Sequence, residues 1–309
     1  MTRPRTRAVE LRLRYRAPCD VDGLVRFFAK RAVPGVEQID GDVYLRSVRL
    51  EHGSGVVALR AGVNDVKAKL WLDSADDHDA AVTACRRLLD LDTDPGPIVE
   101  ALGRDELVGA IVRAAPGCRV PGVVEPNELA IRAVLGQQVS LAGAATLAGR
   151  LVAAYGEPLG HPVGAVTHLF PTATALAGAD PDQLAMPWSR RRALIDLATA
   201  LADGDVVLDT GVMPHDEIEA GLLALTGIGP WTVAYIAMRA LRDADAFMPT
   251  DLGVRHGLER LGRDGSPAGA IAVAERWRPY RAYATQHLWA QLAGGESHAD
   301  PVHAVLHPQ

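Results

Sequence analysis

The stretch from Leu222 to His256 constrains this chain more than any other. An apolar helix end runs into Thr226-Gly227-Ile228-Gly229. Pro230 comes next, where the first position of a helix tolerates a residue without an N–H. Beyond it, Trp231, Ala234, Tyr235 and Met238 form one apolar stripe, and Val233, Ile236 and Ala240 form another. Two stripes predict a helix buried over most of its circumference. The unit is therefore helix, glycine turn, helix. The glycines allow close backbone approach, and free N–H groups at the start of the second helix suit an anion such as a phosphate. An ordinary helical hairpin has the same outline. The segment downstream of the second helix is more telling: Met248-Pro249-Thr250-Asp251 sets a carboxylate at the head of a further helix, Leu252-Gly253-Val254-Arg255 onward.

Composition narrows the classes. A chain of 309 residues can build two or three cores, and 48% hydrophobic with 23% charged residues describes a soluble globular protein. The arginines near the N-terminus precede no apolar run, so no signal peptide is expected, and no apolar window is long enough for a membrane helix. Cys19, Cys85 and Cys118 are far apart, which argues against zinc, an iron–sulfur cluster or a disulfide framework and fits a reducing cytoplasm. A net charge of -6 counts against bulk attraction to nucleic acid but leaves room for a local phosphate-binding surface.

Along the chain, residues 9–16 alternate strictly and predict a half-buried strand. Asp20 is placed to cap a helix carrying Leu24, Phe27, Phe28 and Val33. Short strands are predicted over 36–39, 43–50, 56–59 and 66–72, then a helix over 79–91 and a linker over 92–97. Residues 1–97 are thus an α+β unit with an antiparallel sheet. From Ile98 no strand alternation is evident. Helices are expected after Pro126, after a Ser140 cap as far as Tyr155, after Asp180 and after a Ser189 cap. Others are expected at 217–225, 252–261, 268–277 and 280–292, with a polar, mobile tail from Gly294. Arg190, Arg191 and Arg192 sit in a first helical turn, where positive charge opposes the dipole. They read as a solvated run or as a phosphate contact.

The order Leu225-Thr226-Gly227-Ile228-Gly229-Pro230-Trp231-Thr232, then Pro249-Thr250-Asp251 before a helix ending Arg260-Leu261-Gly262, resembles the helix-hairpin-helix DNA glycosylase superfamily. Three further stretches are similar to its 3-methyladenine-DNA glycosylase II, or AlkA, branch. They are residues 28–33 (FAKRAV), 115–122 (APGCRVPG) and 131–140 (IRAVLGQQVS). The resemblance covers about residues 9–292. It implies an α+β chain with a small TATA-binding-protein-like sheet domain at 1–97, then an all-α core in two domains. One, 122–243, ends in the helix-hairpin-helix; the other joins 98–121 to 244–309 and carries Asp251.

The resemblance also implies a chemistry. An alkylated purine is cationic and leaves readily, but it must first be extruded from the duplex. Aromatic faces hold a cation for roughly 0.5–2 kcal/mol each. A carboxylate near C1′ stabilises the charge that builds on the sugar. By resemblance Asp251 is that carboxylate, although a helix cap worth ~1 kcal/mol is its bland reading. Trp231, Tyr235, Trp289 and Phe27 line the base pocket. Gly227, Gly229 and the Thr232 hydroxyl grip a phosphate. Carbonyls of Leu223, Leu225 and Ile228 are implied ligands of a structural monovalent cation, and no other cofactor is expected. Gln138 stands where some relatives insert a leucine into the minor groove, and Leu252 where some carry a tyrosine. The expected partner is double-stranded DNA containing alkylated bases, bound by a monomer with no membrane association. Trp231 stands where lyase-competent relatives carry lysine, so a monofunctional hydrolase is expected. The rival reading is a non-catalytic helix-hairpin-helix DNA-binding module.

Overall fold

The computed structural model describes residues 8–294 apart from Ala185. The polar tail expected from Gly294 lies almost wholly outside them. Strands β1 (Val9–Arg14), β2 (Glu37–Asp40), β3 (Val43–Leu50), β4 (Gly53–Ala61) and β5 (Asp65–Leu72) form one antiparallel sheet in the order β1-β5-β4-β3-β2. Helix α1 (Val21–Ala29) is capped by Asp20, whose carboxylate accepts from the Gly23 N–H, as its sequence position predicts. With α2 (His78–Leu88) it covers one face of the sheet, burying Leu24, Phe28, Tyr44, Leu59 and Leu70.

The other face is not left to solvent. Beyond α5 (Pro126–Leu135) and α6 (Leu141–Tyr155) the chain forms a hairpin, β6 (Glu157–Val163) and β7 (Val166–Leu169). Its Leu159, Val166 and Leu169 pack on Leu45, Val56 and Ala58 of the sheet. The expectation of no strand after Ile98 is corrected here. Pro158, Gly160 and Pro162 break the alternation, and the pairing register shifts between Pro158 and Val163, so the period-2 signal is erased. The expected linker is corrected too: Asp94 accepts from the Gly96 N–H and starts α3 (Pro95–Gly103) at a proline.

The remaining helices are α4 (Gly109–Ala114), α7 (Ala173–Ala177), α8 (Trp188–Asp203), α9 (His215–Ala224), α10 (Pro230–Ile236), α11 (Leu252–Arg260), α12 (Pro267–Ala274) and α13 (Arg281–Gly294). Helix α8 starts one residue before the expected Ser189 cap, with Pro187 at its N-cap. One core gathers α5, α6, α8 and the hairpin helices around Ile131, Leu135, Leu194, Leu197 and Ile236. A second joins Ile98, Leu102 and Val112 to Val254, Leu258, Trp277 and Leu288. No helix among the described residues is long and apolar enough to cross a membrane.

A buried ionic network fixes the sheet to α5. Arg46 donates to Glu128 at 2.7 Å, and Arg132 donates to Glu128 at 2.8 Å and to Glu37 at 3.0 Å. Each carboxylate thus meets a guanidinium, which burial requires. Nearby, burial and the neighbouring Glu128 push the Glu125 carboxyl up to about 7. A raised acid pKa means its share of stability is full below the unfolded value of about 4.5 and declines as pH rises through about 7. Glu125→Gln is therefore expected to raise the melting temperature at about pH 8 and leave it unchanged near pH 4. Thermal unfolding of both proteins across that range checks it, and equal pH profiles would refute the assignment.

Candidate functional site

The site begins with three helices whose ends converge. Asp251 caps α11, its Oδ1 accepting from the Val254 N–H at 2.9 Å. The same oxygen accepts from the Trp289 indole N–H of α13 at 2.8 Å, and Oδ2 accepts from the Trp231 indole N–H of α10 at 3.1 Å. The cap and the site are one arrangement. Gly253 makes it possible, since a Cβ there would lie 2.6 Å from Trp289 Cδ1. Asp251 stays half-buried and lines a cleft of about 1710 Å³.

Trp231 and Tyr235 stand one helical turn apart and stack, centroids 5.3 Å apart with planes 7° from parallel. Trp289 lies 6.5 Å from Tyr235. Arg239 lies further along the same helix, where a π-turn (Ala237–Leu241) ends it, and donates to the Tyr235 hydroxyl at 2.7 Å. Burial alone raises the Tyr235 phenol, but Arg239 and Arg31 outweigh it and leave its pKa lowered. Phe27 lines the cleft differently from expectation. The Arg31 guanidinium lies 3.7 Å and that of Arg239 4.9 Å from its ring centroid, so its ring is already engaged by cations. Burial lowers Arg31 to about 10.

The glycine turn is asymmetric. Gly227 has φ +84 and an added Cβ would sit 2.8 Å from the Ala193 Cβ, so the turn and its packing on α8 both require glycine. Gly229 has φ -104, and nothing lies within 4 Å of a Cβ there. Its face is open to a ligand. Thr232 is 3% exposed in the lining of the cleft, and its hydroxyl accepts from the Gln137 amide at 3.1 Å. Gln138 is exposed on the rim of the same cleft, in the left-handed region at φ 56. Leu223, Leu225 and Ile228 do not line the cleft. Of the three arginines, Arg191 closes its own loop, donating to the Met186 carbonyl at 2.7 Å.

Sequence reasoning missed four supports. Gln137 and Gly253 are two. Arg239 is the third, giving Nε to the Pro121 carbonyl at 2.8 Å and Nη2 to that of Gly122 at 3.0 Å. Arg119 is the fourth, 2% exposed and donating to the carbonyls of Thr93 at 2.6 Å and Pro18 at 2.9 Å. The last two give the 115–122 stretch its physical role. Backbone acceptors leave no residue-type signal, so no spacing marks them.

Comparison with known proteins agrees with this geometry. Residues 10–125 match the family model of the AlkA N-terminal domain, and residues 131–280 that of the HhH-GPD superfamily base excision DNA repair protein. The chain is 36% identical over 284 residues to DNA-3-methyladenine glycosylase 2 of Escherichia coli, covering 90% of this chain and 95% of that protein. It is 48% identical over 284 residues to the probable bifunctional transcriptional activator/DNA repair enzyme AlkA of Mycobacterium tuberculosis. That match covers 92% of this chain but only 57% of the relative's length. The solved 3-methyladenine DNA-glycosylase from Archaeoglobus fulgidus superposes with a TM-score of 0.77 at 19% identity, covering 93% of this chain and 99% of that one; it shares the fold.

The asymmetry of the turn is testable in the isolated protein. Gly227→Ala is expected to cost about 1–3 kcal/mol through the left-handed φ and the contact with Ala193. Gly229→Ala should melt within a degree or two of wild type, because its Cβ meets nothing. Denaturant unfolding of the pair decides, and equal losses would show that the turn's packing has been misjudged.

Proposed function

The chain belongs to the HhH-GPD superfamily of base excision DNA repair proteins, in its AlkA branch, and from that premise we propose that it hydrolytically removes alkylated bases from duplex DNA. The observation that carries the proposal is the Asp251 carboxylate, held by two indole N–H groups beside the Trp231–Tyr235 stack. A cap alone needs neither indole. Two donors fix both oxygens in place before any substrate arrives, so little reorganisation is needed when charge builds.

In this reading the hairpin's open Gly229 face takes a backbone phosphate at the start of α10, and Gln138 fills the gap left by the extruded nucleotide. The damaged base enters the aromatic pocket, and its positive ring lies against the Trp231–Tyr235 faces. As the glycosidic bond lengthens, the sugar turns cationic. A carboxylate about 4 Å away then contributes roughly 4 kcal/mol at an effective dielectric near 20, which exceeds the ~1 kcal/mol of a cap. Water attacks C1′, because Trp231 offers no amine for a Schiff base. Among the described residues the Leu223 and Ile228 carbonyls accept no backbone hydrogen bond, and that of Leu225 accepts from the Ile228 N–H at 3.1 Å. That donor set suits a monovalent cation, which would offset the bound phosphate. The protein acts as a monomer on cytoplasmic DNA.

The direct test incubates the protein with methylated duplex DNA and identifies the released bases by chromatography. Asp251→Asn should lower single-turnover excision at least roughly a hundredfold. Asparagine still caps α11, but its amide N–H2 faces one indole donor, so a stability loss of about 1–3 kcal/mol is expected alongside. Excision near the wild-type rate would leave Asp251 as a cap and place the catalytic group elsewhere, whereas a wild type that releases no base would favour the DNA-binding module. Borohydride should trap no covalent protein–DNA adduct; a trapped adduct would remove the hydrolytic step from the proposal.

A further inference from the structure

The loop after α5 carries two glutamines of opposite character. Gln138 points outward into the cleft and holds a left-handed φ of 56. Non-glycine residues keep such a conformation only where their surroundings enforce it. Gln137 turns inward. Its Nε2 donates to the Gly227 carbonyl at 3.0 Å and to the Thr232 hydroxyl at 3.1 Å. One amide thus ties the loop to both halves of the hairpin, the turn and the first turn of α10. The far side of the loop is pinned separately, where Ser140 caps α6 by accepting from the Gly143 N–H at 3.1 Å.

We propose that Gln137 is a positioning residue that locks the Gln138 loop to the hairpin, so that gripping the phosphate and filling the vacated base position occur as one rigid event. The proposal rests on the glycosylase function and deepens it. Chemistry dictates the residue type. The Gly227 carbonyl can only accept, so the position needs an N–H donor, which a glutamine amide supplies and a carboxylate of the same shape does not. A glutamate there would set its oxygens against the Gly227 carbonyl. Freed of the tie, Gln138 relaxes out of the left-handed region, while Gly229, on the far side of the turn, still presents its open face. Phosphate binding and base extrusion then separate.

The test uses the full chain and a duplex with 2-aminopurine next to the target base, whose fluorescence rises when its neighbour unstacks. Gln137→Glu is expected to reduce the unstacking equilibrium roughly tenfold, the scale of one or two lost hydrogen bonds. Gln137→Met keeps the volume without adding charge and should lose unstacking alike, which answers any folding defect of the glutamate variant. Affinity for undamaged duplex, read by anisotropy, should stay within about twofold in Gln137→Met, since phosphate contacts dominate it and no charge is added beside them. Unstacking unchanged in both variants, or falling only in step with affinity for undamaged duplex, would overturn the proposal. Base release is measured on the same samples. Wild type that unstacks but releases no base overturns the glycosylase reading and leaves the Gln137 tie standing. Wild type that releases base while both variants unstack normally does the reverse. Wild type that does neither overturns both.

Discussion

The candidate site depends on one carboxylate with three donors. Asp251 sits at the point where α10, α11 and α13 meet, and each helix supplies one N–H to it. None of these donors is near another in sequence. The convergence is therefore a property of the second core, which packs Val254, Leu258 and Leu288 with Ile98 and Leu102 from far upstream. A half-buried carboxylate with satisfied oxygens is tolerated where an unpaired one would be costly. The same bonds hold the two indoles in the lining of the cleft.

A second layer of support runs outward from the aromatic stack. Arg239 joins the Tyr235 hydroxyl to the carbonyls of Pro121 and Gly122, and Arg119 in that stretch binds carbonyls near both ends of the sheet domain. Buried guanidinium donors of this kind act as cross-links between chain segments, because each unmet N–H would carry a desolvation penalty. The sheet domain is thus wired to the pocket, and α1 with the turn after it, Phe27 and Arg31 included, lines one side of the cleft.

Legibility in the sequence depended on the kind of signal available. The glycine turn, Pro230 and the Asp20 and Ser140 caps were readable because each depends on residue type at fixed offsets. β1 was readable from period-2 alternation, whereas β3 and β4, buried on both faces, were readable only as short apolar runs. The β6–β7 hairpin was not, because prolines and glycine interrupt its alternation. The aromatic residues and Asp251 that resemblance named line one cleft, but the partners their side chains take there left little signal. Thr232 has the right residue type, and Gln137 donates to its hydroxyl. Phe27 is aromatic as expected, yet two arginines occupy its surroundings. Side-chain partners chosen through backbone carbonyls, as for Arg239 and Arg119, have no sequence pattern to read.

The covered sheet has a consequence for how nucleic acid can be met. Proteins that read DNA with a sheet lay an open face of strands along a groove and wedge side chains between base steps. Here that surface is closed: Leu45, Val56 and Ala58 are sealed under Leu159, Val166 and Leu169, and the opposite face carries α1 and α2. The sheet keeps the outline of a saddle but has no seat. In the proposed reading a duplex meets the helical half, and α1 of the sheet domain lines one side of the cleft.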